Sequence, residues 1–85
     1  MIEIIPLKFE ETQKDYLEAE SIFGKFAFWK VLITEDKKQK EFWYYKSLDK
    51  KSKRFYTEKE ANRDKAEKKC QTDYKNMFKG IFKEI

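Results

Sequence analysis

The side chains of this chain best suited to binding another molecule are aromatic and basic. Phe42-Trp43-Tyr44-Tyr45-Lys46 is followed closely by Lys50, Lys51, Lys53 and Arg54. Rings interleaved with cations can anchor a protein partner, because binding energy concentrates in desolvated aromatics and Arg, or they can stack bases while holding phosphates. Acid–base and redox chemistry finds less to work with. The 85 residues include no His, the commonest general base and metal ligand near neutral pH. Cys70 is the single cysteine, which excludes a thiolate metal site and an internal disulfide and leaves a thiol nucleophile without its imidazole base. With only Gly24 and Gly80, no phosphate-cradling loop can be built. Carboxylates pair at Glu10/Glu11, Glu18/Glu20 and Glu58/Glu60, but among lysines in polar segments, where a solvated face is the simpler account. The expectation is no enzymatic activity, no metal and no cofactor.

The elements that position these residues must come from one small domain, residues 1–85, since a chain this short has no room for a second core. Charged residues make up 42% of it, yet aromatics reach 18%, enough large side chains to offset chain entropy and exclude disorder. No long apolar run and no basic segment leading into one occur at the N-terminus, so neither a membrane span nor a signal peptide is expected. The net charge of +4 is unevenly spread. Residues 1–24 hold six acids against Lys8 and Lys14, whereas residues 25–56 hold ten bases against four acids. A basic middle beside an acidic start can attract a polyanion or an acidic protein.

The strongest element is read at the C-terminal end. Thr57-Glu58-Lys59-Glu60 has the form of a capping box, and Ala66, Cys70, Tyr74, Met77, Ile81 and Ile85 follow in steps of three and four with Lys68, Lys75, Lys79 and Lys83 opposite. This pattern predicts one helix over residues 57–85, with Cys70 acting as a small hydrophobe in its buried stripe. The sheet that the helix covers is read from residues 1–56. An edge strand or extended lead-in runs over 1–9, limited by Pro6; a polar loop over 10–15; a strand over 16–21; a turn at Ile22–Lys25; and strands over 25–34 and 41–47, joined by the charged stretch 35–40. Phe55-Tyr56 offers a short fourth strand after the basic loop 48–54. The fold expected is α+β, a three- to four-stranded antiparallel meander with one long helix packed on one face.

One helix cannot cover both faces of strands that are aromatic on both sides. Trp29, Trp43 and Tyr45 are assigned to the helix side, leaving Phe26, Phe28, Phe42 and Tyr44 on the other. The candidate binding surface is therefore Phe42, Tyr44, Lys46, Lys50, Lys51, Lys53 and Arg54, open to a partner protein, to nucleic acid or to a second copy of the chain.

The run Ile5-Pro6-Leu7-Lys8-Phe9-Glu10-Glu11, then Tyr16-Leu17-Glu18-Ala19-Glu20-Ser21-Ile22-Phe23-Gly24-Lys25-Phe26, resembles the opening of a family of small phage and prophage proteins. In that family an aromatic-acidic lead-in precedes an Ala-Glu-Thr-Ile-Phe-Gly-x-Tyr-like strand and turn. Their helix pattern Ala-x-x-x-Ala-Gln-x-Asp-Tyr is similar to Ala66-Glu67-Lys68-Lys69-Cys70-Gln71-Thr72-Asp73-Tyr74, with Cys70 replacing the second Ala. Phe26 stands where Tyr is usual, and the stretch from Phe55 to Ala66 exceeds the family's spacing. The resemblance carries no catalytic residues. It implies a phage-encoded protein in a bacterial cytoplasm, a setting in which small proteins occlude host factors, as anti-CRISPR and other anti-defence inhibitors do. A nucleic-acid-binding accessory protein is the alternative.

Overall fold

In a computed structural model, which describes residues 5–81, the chain forms β1 (Glu10–Gln13), β2 (Tyr16–Ser21), β3 (Gly24–Glu35), β4 (Lys38–Leu48), β5 (Phe55–Glu60) and α1 (Arg63–Ile81). The architecture is α+β: the strands lie in the meander order β1-β2-β3-β4-β5, each antiparallel to its neighbours, and α1 packs against β3, β4 and β5. Five strands replace the three or four expected. Residues 10–13, read as loop, form β1 on the free edge of β2, and β5 extends through Glu60, across the stretch expected to open the helix. Residues 1–4 and 82–85 and the side chain of Ile81, assigned above to the lead-in and to the helix stripe, lie outside the described residues.

The capping box at Thr57 does not form. Thr57 and Glu60 pair with Lys46 and Trp43 in the sheet, and Asn62 caps the helix instead, its Oδ1 accepting from the Lys65 amide at 2.9 Å. Asp64 in the first turn and Lys79 in the last suit the helix dipole. The buried stripe is as the spacing predicts for Ala66, Cys70 and Met77, with Tyr74 half-buried and Lys68, Lys75 and Lys79 exposed.

Two tight turns set the register. Ser21 pairs with Gly24 around Ile22-Phe23; the Ser21 hydroxyl donates to the Gly24 carbonyl at 2.7 Å and accepts from the Phe23 amide at 3.1 Å. Gly24 sits at φ 133°, which a glycine adopts freely, and its bare Cα lets the Phe55 ring lie close. Asp36 and Lys37 both take positive φ, 51° and 63°, the pattern of a two-residue I′ hairpin turn, and Glu35 faces Lys38.

An even-numbered turn pairs odd positions with even ones, so Phe28 faces Tyr45 and Trp29 faces Tyr44. The assignment of faces is thereby corrected. Phe26 and Phe28, expected on the open side, are completely buried under α1 beside Trp43 and Tyr45, and Trp29 and Val31 lie on the other face. Burying each Phe contributes about 1.5–3 kcal/mol. Leu17, Ala19, Leu48 and Leu7 complete the core. Leu7 is pinned by Gln71, whose Oε1 accepts from its amide at 2.8 Å while Nε2 donates to its carbonyl at 2.7 Å.

Candidate functional site

Alternation along each strand sends Tyr16, Trp29 and Tyr44 to the side away from α1. They are direct cross-strand partners and make an aromatic row over β2, β3 and β4. Tyr16 stacks on Trp29 with centroids 5.6 Å apart, and Trp29 meets Tyr44 at 6.3 Å. Lys59 on β5 continues the row opposite Tyr44 and holds its ammonium 4.4 Å from the Phe42 ring centroid. Val31 stands opposite Phe42, and Ile33 opposite Lys40. Residues 5–9 do not cover this face: Leu7 is tied to α1 and Phe9 packs on Phe28, both on the helix side.

Charge on the open face is divided. Glu10 pairs with Glu18 across β1 and β2, with Glu20 two residues on, while Lys46 on β4 and Lys59 on β5 lie across the sheet. Lys25 bridges to Glu18 at 3.5 Å and to Glu20 at 3.9 Å.

Of the residues named from sequence, Phe42, Tyr44 and Lys46 lie at alternate positions of β4 on the uncovered face, the two rings half-buried and Lys46 exposed. Lys46 sits 5.1 Å over the Phe55 ring, next to the loop that follows β4. That loop is built on Asp49. Its carboxylate accepts from the Lys51 amide at 3.2 Å and from the Ser52 amide and hydroxyl, while the Lys53 amide donates to the Asp49 carbonyl and the Asp49 amide to the Arg54 carbonyl. The Lys51 amide bond, foremost, holds the Asp49 carboxyl below its ordinary range. So braced, the loop presents Lys50, Lys51, Lys53 and Arg54 to solvent, and none of the four joins an ion pair among the described residues. Phe42, Tyr44 and Lys46 share the uncovered face, whereas in the loop Lys50 and Arg54 border a cavity with Lys69 and Asp73 of α1, and Lys53 and Arg54 border one with Phe23 and Met77, both on the helix side. Tyr16, Trp29, Val31 and Lys59 stand beside Phe42 and Tyr44 and are not among the residues named from sequence, because only the pairing of β2, β3 and β5 with their neighbours brings them there.

The other cluster of reactive groups lies in the seam between helix and sheet. Asp73 accepts from the fully buried Ser47 hydroxyl at 2.8 Å and from the Tyr56 hydroxyl through the same oxygen, and the Tyr45 hydroxyl donates to Glu58 at 3.3 Å. Burial, with Asp73 beside it, pushes the Cys70 thiol up to about 12. Burial also raises Tyr45 to about 12 and Tyr56 further. These groups stay protonated near neutral pH, so none is poised as a nucleophile. Among the described residues no three His, Cys, Asp or Glu side chains are placed to hold a metal, and no helix is long and apolar enough to cross a membrane. Set against protein-family models, curated proteins and solved structures, the chain matches none.

Proposed function

We propose that this chain is a non-enzymatic binding protein that acts by occluding a protein of the bacterial host, in keeping with its resemblance to small phage proteins. The antiviral effectors that phage proteins commonly disarm are the class of host factor it would engage. The observations that carry this are the aromatic face that no element among the described residues covers, and the braced loop after β4, whose four cations join no ion pair among the described residues. The aromatics supply contact area for a protein surface, and the loop cations steer an acidic host protein.

Nucleic acid is the weaker fit. Tyr16 and Trp29 turn ring faces toward each other instead of offering them to bases, and Glu10, Glu18 and Glu20 on the same face repel phosphates. The test changes Lys50, Lys51, Lys53 and Arg54 to Glu, alone and together with Tyr44→Ala. Helical signal and melting temperature should stay near wild type while a host protein retained from lysate by the wild type, and bound again when purified, is lost. Unchanged retention by the variant, or bound nucleic acid that high salt removes, would overturn the proposal.

A further inference from the structure

We infer that the uncovered sheet face is occupied by a second copy of this chain, packed face to face about a twofold axis parallel to β3. This rests on the reading of that face as an interface and names its occupant, leaving the 49–54 loop for the host protein.

Charge selects the arrangement. Rotation about an axis along β3 lays β2 of each copy over β4 of the other and β1 over β5, with each cross-strand row kept level. In the row of Ala27, Glu18 lies on one side and Lys46 on the other, so Glu18 of each copy meets Lys46 of its mate, twice per dimer. In the next row Tyr16 meets Tyr44, and Trp29 meets its own counterpart at the axis. An axis across the strands would instead set β2 on β2, carboxylate against carboxylate. Only the first orientation therefore lays the acidic β1–β2 side over the basic β4–β5 side, with Lys25, held by Glu18 and Glu20 of its own copy, near its counterpart at the axis.

Size allows a small interface. β1, β2 and β5 reach only to the rows of Trp29 or Lys30, so the strand residues of the face, at about 4.8 Å by 3.4 Å each, give roughly 500 Å² per copy, at the low end for a specific interface.

The long hairpin supplies the second observation. β2 pairs with β3 only as far as Trp29, and β5 with β4 only as far as Trp43, so residues 30–42 run on as a ribbon of two strands. This arm stretches the molecule to 56 × 25 × 18 Å, with a radius of gyration of 14.5 Å. A compact domain of this length would have about 12 Å. Two-stranded ribbons are marginal alone, and this one carries Val31, Ile33 and Phe42 on its open-face side. In the proposed dimer the two arms run in the same direction with β3 over β3, so that Val31 and Ile33 meet their counterparts. The two basic loops then come to lie together at the other end.

Light scattering on the purified full chain should give twice its 10.5 kDa mass. Glu18→Lys alone and Lys46→Glu alone should each yield monomer with the far-ultraviolet spectrum retained, and the double swap should restore the dimer. Val31→Cys, a mild change close to the axis, should form a disulfide-linked dimer on gentle oxidation, since Cys70 is buried. Wild-type monomer at micromolar concentrations, a monomeric double swap, or excess mass due to nucleic acid would overturn the inference. If the wild type is monomeric yet the loop variant still loses its host protein, the face belongs to a foreign partner and the proposed function stands. If the dimer behaves as described but the loop variant keeps its host protein, the proposed function fails alone.

Discussion

Asp73 accepts both the Ser47 and the Tyr56 hydroxyl through one oxygen, which ties α1 to the two strands beneath it. Its neighbours in the helix pattern have comparable tasks. Ala66 and Cys70 are completely buried against the sheet, Gln71 clamps the Leu7 backbone, and Tyr74 packs edge-on against Phe26 at 5.8 Å. In the other stretch that carries the phage resemblance, Ala19 is core, Ser21 braces the turn and Gly24 admits Phe55. The helix motif is therefore accounted for by folding, and in the strand–turn motif Ala19, Ser21 and Gly24 are too, while Tyr16, Glu18 and Glu20 of the same stretch face the open side of the sheet. Asp73→Ala strands the fully buried Ser47 hydroxyl and should cost about 1–3 kcal/mol in urea unfolding. A change below a few tenths would mean that the seam finds other partners.

Among the elements, the start of the helix shows local and tertiary preferences in competition. Thr57 and Glu60 satisfy a capping pattern, but as strand residues they gain a ladder along β4 and bring Tyr56 and Glu58 to the helix side, which outweighs one reciprocal cap. Asn62 then caps at the next opportunity. Asn62→Ala should lower stability by about 1 kcal/mol, and Asn62→Asp should recover it to within a few tenths. Thr57→Val, which keeps a β-branched side chain but has no capping oxygen, should be nearly neutral. A large loss from Thr57→Val with none from Asn62→Ala would reverse the assignment.

For the molecule as a whole, the seam couples stability to alkaline pH. Cys70 and Tyr45 are raised to about 12 from ordinary values of 9.0 and 10.0, and Tyr56 is raised as well, in each case chiefly by burial. Above pH 9 the unfolded chain therefore gives up protons that the folded chain retains. Stability is full below that point and falls as pH rises through about 9 to 12. The urea midpoint should drop across this window, and Cys70→Ala should remove the share of the slope that belongs to the thiol. Cys70 should also resist thiol reagents at pH 8 until the chain unfolds. A midpoint that stays level from pH 8 to 11 would contradict the buried seam.

The features legible in the amino-acid order alone are periodic and local: the alternation within β3 and β4, the helix stripe with Cys70 inside it, the turn before Lys25 and the cationic loop. Side chains at fixed spacing share a face whatever the rest of the chain does, and so Phe42, Tyr44 and Lys46 group together on spacing alone. The rest depends on partners distant in sequence. β1 is exposed along its length and lacks apolar alternation; it is a strand because the edge of β2 offers unpaired backbone groups. Residues 57–60 are strand because β4 lies alongside. Phe26 and Phe28 are core, and Tyr16 and Trp29 join the candidate surface, because a two-residue turn at Asp36-Lys37 fixes the parity of pairing. One residue more or fewer in that turn would exchange the faces of one strand relative to the other, which alternation within a single strand cannot reveal.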